Sequence, residues 1–494
     1  MTLAVLAEQA AGRLGEADLV TFGGATTSTP ALLERATRVA TGLAGRGVRA
    51  GDRVLVCSTN SPEVLLAYQA IWRAGGIVTP VLPALTVSEL RHVLTDSGAL
   101  LALVSAGTAP QVRAAATGLA VQVVVIGEPA WAELEAGPPG AIAARTDGDL
   151  AALLYTGGTT GRAKGVALTH GGLAVTGLSR QGVLERSGVT SLLIPLPLSH
   201  VYGLLNAVCR FHARSPGHLV LQGKFDAAGW VALVAEHRLD GGAVVPSMLA
   251  LLLSQPLEQA DLGSLRYVTC GGAPLAPALV VEFERRVPTA RVCDGYGCTE
   301  VTSTATMNPY DAPRPGTVGL PIPGVSLQVV DDDGRALPTG TDGEVCVRGP
   351  GVMLGYWQDP VATAEAVVDG WLRTGDIGHL DQDGYLVVVD RRKDLVIRSG
   401  FNVYPRDVED ALLLHPAVVA AAVVGRPDPL VGEEVVAFVA LSTPVQAGEL
   451  LAWAAQRLGS HKRPREVHVV DAVPLTSVGK TDRKAVRLLL AGLS

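Results

Sequence analysis

Along the chain, short apolar β-branched runs alternate with longer Ala/Leu-rich stretches whose apolar residues recur at helical spacing. Residues 53–56 read as a strand, followed by a helical pattern over 63–72 that stops at Gly75 and Gly76. Further strands are expected at 100–104, 121–125, 192–195, 219–221 and 267–269. That rhythm predicts α/β layering with largely parallel sheets. From about 316 to 389 the texture changes. Short β-prone pieces at 325–330, 344–348 and 385–389 are separated by Gly/Asp turns, which predicts a small antiparallel barrel or meander. Past the charged run at 390–394 a third pattern begins, with a helix over 406–414, strands over 418–424 and 435–440, and a last helix starting near Asp482. A domain boundary is expected at the charged run.

Composition narrows the class. A chain of 494 residues exceeds one compact core and suggests roughly three packed units. With 48% apolar and 18% charged residues it is a packed globular protein rather than a disordered one. The net charge of −7 is spread out and the basic blocks at 391–393 and 462–463 are short, which argues against a nucleic-acid groove. Six cysteines without a C-x-x-C pair read as reduced thiols. No basic region precedes the first apolar stretch, Glu8 interrupts it, and no apolar run reaches the ~18–20 residues of a membrane span. A cytoplasmic protein is expected.

The candidate chemistry starts with the string YTGGTTGRAKG over residues 155–165. Glycines let backbone N–H groups turn toward an anion, threonine hydroxyls add hydrogen bonds, and Lys164 supplies a mobile charge, so Thr156, Gly157, Gly158, Thr159, Thr160, Gly161 and Lys164 form a candidate polyphosphate cradle. It is not a Walker A loop, because Gly165 rather than Ser or Thr follows the lysine. Elsewhere, Tyr296 in DGYGCTE (294–300) offers a flat face for a base, Thr299 a hydroxyl for a phosphate, and Glu300 a hard oxygen ligand suited to Mg²⁺. Asp376 in WLRTGD (371–376) can accept both hydroxyls of a ribose diol.

Taken in order over roughly residues 20–490, these strings resemble those of the adenylate-forming superfamily of acyl- and aryl-CoA ligases, carrier-protein-loading adenylation domains and firefly-type luciferases. In the first string Gly157 stands where the family usually has Ser and Ala163 where it has Pro; the Gly variant is similar to that of bacterial long-chain fatty acyl-CoA ligases. PLSHVYG (197–203) resembles the segment lining the acyl pocket, with His200 facing the substrate beside Val201 and Gly203. GGAPL (271–275) resembles the loop beside adenine and acyl group, adding Gly271, Gly272 and Ala273, while Gly297 and Cys298 belong to the Tyr296 loop, with Cys298 replacing a common Met. The resemblance implies that Arg391 contacts ribose and phosphate, that Lys393 is a hinge, that Gly400 lines a thiol tunnel, and that Lys480 in PLTSVGK (474–480) is the catalytic lysine.

The fold it implies is α/β: a large N-terminal domain of layered α/β subdomains plus a small β-barrel (1–390), a hinge (391–394), and a small mobile α+β C-terminal domain (395–494). The activity it implies is ATP- and Mg²⁺-dependent activation of a carboxylic acid as acyl-AMP, then transfer to coenzyme A. A carrier protein or another nucleophile in place of coenzyme A stays open, as does a homologue without catalysis. No Asp in 197–203 is available for a substrate ammonium, which disfavours amino acids. The small residues predict a roomy apolar pocket, with fatty acids ahead of aryl acids and no Arg placed to bind a second carboxylate. The oligomeric state is not legible.

Overall fold

The structure is a computed structural model that describes residues 1–156, 162–476 and 480–493. Two mostly parallel sheets form the body. In the first, strands Asp18–Phe22, Leu219–Leu221, Leu192–Ile194, Gly241–Val244, Tyr267–Gly271 and Arg291–Tyr296 run side by side in parallel, with antiparallel pieces at both edges. The second carries Gln122–Val125, Leu101–Val104, Arg53–Cys57, Ile77–Val81 and Leu150–Thr156 in parallel, then turns back antiparallel through Lys164–Thr169. Strands such as Ile77–Val81 and Tyr267–Gly271 are buried at every position. Both faces are covered, so they read as continuous apolar runs rather than alternating ones.

Helices between the strands complete the layers. Pro62–Arg73 starts with Pro in its first turn and ends at Gly75, whose positive φ of 80° reverses the chain. It packs on Thr29–Gly45, and both feed one large core cluster shared by the two sheets. At 316–389 the expected small barrel or meander is a five-stranded antiparallel sheet of Ser326–Val330, Gly343–Arg348, Val367–Val368, Trp371–Leu380 and Leu386–Arg391.

Beyond Arg391 one turn of 3₁₀ helix, Arg392–Asp394, leads into a second core of its own. Long strands Val418–Asp428 and Gly432–Leu441 pair antiparallel, with Pro405–Leu413 and the last helix Arg483–Ala491 against them. Asp482 caps that last helix by accepting from the Ala485 N–H at 3.0 Å. Among the described residues, no helix is long and apolar enough to cross a membrane.

Candidate active site

The cleft between the body and the C-terminal unit gathers most of the expected residues. Asp376 and Arg391 lie opposite each other on neighbouring antiparallel strands, a register that makes their side chains cross-strand partners. One Asp376 oxygen lies 3.0 Å from Arg391 Nε, and the other accepts the Tyr296 hydroxyl at 2.6 Å. Tyr296 stays protonated, because burial and the Asp376 charge both raise its phenol well above the ordinary value. A buried carboxylate held between a cation and a donor has its oxygens fixed in direction, as recognition of a diol requires.

A second line of polar groups runs along the other side. Glu300, in a single 3₁₀ turn Thr299–Val301, accepts the Tyr356 hydroxyl at 3.1 Å. The Lys164 ammonium lies 5.2 Å from the centre of that same tyrosine ring and 3.2 Å from an Asp359 oxygen. Thr156 and Lys164 face each other across the antiparallel pair that brackets the phosphate string. Gly157, Gly158, Thr159, Thr160 and Gly161 lie outside the described residues. Glu300 fits a hard cation in its donor chemistry and half-buried position, with one oxygen engaged by a neutral hydroxyl only. Among the described residues there is no cluster of three or more His, Cys, Asp or Glu side chains able to hold a metal by themselves.

Lys480 reaches this cleft from the C-terminal unit. The two ends of its loop are tied by the Thr476 N–H donating to Lys480 O at 2.7 Å and the Lys480 N–H donating to Thr476 Oγ1 at 3.2 Å. Its side chain arrives beside Gly272, where a Cβ would stand 3.5 Å from Lys480 Cε. Burial first, then the Arg391 charge, push its ammonium below the ordinary lysine value, while Cys298, Asp376 and Glu300 push the other way. His200 caps helix Val201–Arg210, its Nδ1 accepting from the Tyr202 N–H at 3.2 Å. Burial, with the Lys480 charge added, lowers its pKa to about 3, so His200 is a neutral wall of the cleft.

Two sequence expectations change in meaning. Gly203, expected to give the pocket room, is glycine because a Cβ there would stand 2.1 Å from the Pro197 carbonyl oxygen. Gly297 is likewise fixed by packing, with a Cβ position 1.9 Å from Ser303 O, so its role is to let the loop close. Gly271 is also closed in, with a Cβ position 2.9 Å from Gly295 O, whereas Gly272, at φ 86°, meets only Lys480 and Val245 side chains at ordinary contact distance. Ala273 follows them half-buried, Val201 packs into the body core, and Cys298 is a half-buried free thiol in the Tyr296 loop. Gly400 is exposed with φ 79°, after Ser399 at φ 51°.

Arg180 was not foreseen at all. It is buried in helix His170–Arg186 and meets Asn206, Thr269, Thr304 and the ring of Tyr202. The helix spacing Leu173, Gly177, Arg180, Leu184 places it on the inward stripe, which was the available signal.

The sequence profile of the AMP-binding enzyme family matches residues 6–357, and that of the AMP-binding enzyme C-terminal domain matches 407–480. The chain belongs to the AMP-binding enzyme family. Among the relatives of this AMP-binding enzyme, a feruloyl-CoA synthase from an Amycolatopsis species is 36% identical, over 95% of both chains. A long-chain-fatty-acid–CoA ligase of Escherichia coli is 34% identical over 90% of this chain and 86% of the relative. ATP-bound MatB from Rhodopseudomonas palustris superposes over the full length of both chains with a TM-score of 0.93 at 33% identity; apo MatB gives 0.80.

Proposed function

We propose that the chain is an acid–thiol ligase that converts a carboxylic acid and ATP to acyl-AMP and pyrophosphate, then transfers the acyl group to coenzyme A. The observation that carries this reading is the approach of Lys480 to Gly272, between the Asp376–Arg391 pair and neutral His200. Two anions must meet when a carboxylate oxygen attacks the α-phosphorus, and negative charge builds on the phosphoryl oxygens. An ammonium in a partly dry cleft is suited to bridge them, and the chain's own residues hold the rest. Asp376 and Arg391 grip the ribose, Tyr296 stacks on adenine, Thr299 donates to the α-phosphate, and Lys164 with the 156–161 string holds the leaving pyrophosphate. Mg²⁺ held at Glu300 would neutralise charge on the phosphates.

The domain reading extends this: a body of 1–390, a hinge at 391–394 and a lobe of 395–494. Arg392 pairs with Asp332 on the body at 2.5 Å, whereas Asp394 pairs with Arg487 of the lobe at 2.9 Å. Lys393 sits between them, exposed and with no hydrogen bond or ion pair among the described residues. A residue so placed can change its dihedrals without breaking a side-chain contact, which supports it as the hinge that withdraws Lys480 and brings Gly400 to the thiol path. The higher similarity to the ATP-bound than to the apo MatB structure fits a lobe in the adenylate-forming position.

The relatives named above act, by their names, on feruloyl and long-chain fatty acyl groups, so the acid class is open within this reading. The test is a panel of acids with and without coenzyme A, with AMP and thioester measured separately. Equal amounts of both support the ligase. AMP without thioester when coenzyme A is present moves the acceptor to a carrier protein or an amine.

A further inference from the structure

A lysine on a flexible stem places its charge well only if the backbone that carries it is held. Lys164 follows Ala163, which has no ring to fix its φ as a proline would, and the glycines nearby make this stretch costly to order. The hairpin that carries Lys164 therefore needs anchors from outside.

One helix supplies them. Val87–Ser97 begins at a capping box, in which Thr86 and Glu89 each accept from the other's backbone N–H. Its far end is gripped by Arg53, whose Nε donates to Ser97 O at 2.6 Å and Nη2 to Gly98 O at 3.1 Å. Between these fixed ends His92 and Asp96 are four residues apart and share one face. His92 Nε2 lies 2.8 Å from Ala163 O. A carbonyl oxygen only accepts, so Nε2 carries the proton. Asp96 accepts the Tyr155 hydroxyl at 2.5 Å. Burial, then the Asp96 hydrogen bond and charge, raise that phenol, which keeps it a donor.

The peptide unit joining Ala163 to Lys164 is planar, so holding the Ala163 oxygen also sets the direction of the Lys164 N–H and Cα. Pairing with Thr156 and the Trp357 N–H, donating to Gly165 O at 2.7 Å, fix the other side. Trp357 in turn donates its ring N–H to Asp96 O at 3.1 Å. The stem of the lysine is thus tied to one helix from both directions, while its tip rests by Asp359 and the Tyr356 ring. Asp376 and Arg391, proposed for the ribose, are set by a different strand pair.

We propose that His92 is a positioning residue: from helix Val87–Ser97, with Asp96 holding Tyr155 beside it, it sets Lys164 to receive the pyrophosphate leaving group. This rests on the ligase reading above, which gives Lys164 that task.

The test uses His92→Phe, which keeps a ring and loses the donor, and His92→Gln, which returns an amide N–H near the Nε2 position. Two assays are read: ATP–pyrophosphate exchange, and calorimetric binding of α,β-methylene-ATP and of AMP. His92→Phe is expected to raise KM for pyrophosphate and weaken the ATP analogue about tenfold each, with AMP affinity and KM for the acid within about twofold of wild type. His92→Gln should recover both to within about threefold of wild type. Tyr155→Phe, which removes a single hydroxyl, should show the same split at about threefold, and it decides the matter if His92→Phe fails to fold. AMP affinity lost as much as that of the analogue, a glutamine variant no better than the phenylalanine one, or an unchanged KM for pyrophosphate overturns the proposal. The same binding pattern with no exchange for any acid would instead sink the ligase reading while leaving the role of His92 standing.

Discussion

Two regions of the body are built on opposite plans. The first, which holds the residues proposed for the nucleotide, is charged and compensated: Asp376 has Arg391 and Tyr296, Lys164 has Asp359, and Glu300 has the Tyr356 hydroxyl. The second holds a buried cation, Arg180, among neutral amide and hydroxyl groups. A compensated site binds a ligand shared by many enzymes without depending on the second substrate. A buried cation without a carboxylate depends instead on a full set of hydrogen bonds to neutral groups, so the helices, strand and loop that supply them must stay in place.

Changes confined to the first region should leave the ranking of acids untouched. Asp376→Ala removes the carboxylate proposed to take the ribose hydroxyls and is expected to lower kcat/KM for ATP about 100-fold. The ranking of acids should stay constant, and steady-state kinetics at varied ATP and fixed acid, repeated for each acid, checks both. Lys393→Pro restrains the connector and is expected to slow thioester formation from supplied acyl-AMP about 30-fold. Its rate of adenylate formation should stay within a few-fold of wild type; equal slowing in both would remove the hinge assignment. Lys164→Ala is expected to raise KM for pyrophosphate in the reverse reaction about tenfold, with coenzyme A kinetics unchanged.

A smaller effect follows from protonation. In the proposed reaction Lys480 acts as its ammonium, so activity is expected to fall as pH rises through its pKa. Burial and Arg391 place that fall below the ordinary lysine value. Lys480→Arg, which stays charged, should move the alkaline limb of the adenylation profile upward even if the rate is lower. His200 is already neutral across the working range, so His200→Asn should leave the shape of the profile between about pH 5 and 8 unchanged.

The residues proposed for the nucleotide stood out in sequence because they sit in short strings, and the structure brings two pairs of them together. Asp376 and Arg391 sit at facing positions of two adjacent strands, and Thr156 and Lys164 bracket one hairpin. Strand and helix positions were legible wherever apolar runs ended at glycine or proline, as at Gly75 and Pro405. Arg180 was hidden for a physical reason. Helix His170–Arg186 buries Leu173 and Leu184 beside Arg180 but also exposes Val175 and Leu178, so apolar residues on both faces blur the inward stripe. The partners of Arg180 come from a second helix, a strand and a loop, at sequence separations that no local string reveals. Gly203 was read as pocket space for a related reason: a glycine that permits close backbone packing looks, in sequence, like one that leaves room for a ligand.

The most direct test of the account measures Lys480→Ala in both half-reactions on one preparation. The account predicts that formation of acyl-AMP from acid and ATP drops about 1,000-fold, while thioester formation from supplied acyl-AMP stays within a few-fold of wild type. Equal loss in the two half-reactions, or full adenylate formation without this side chain, would contradict it.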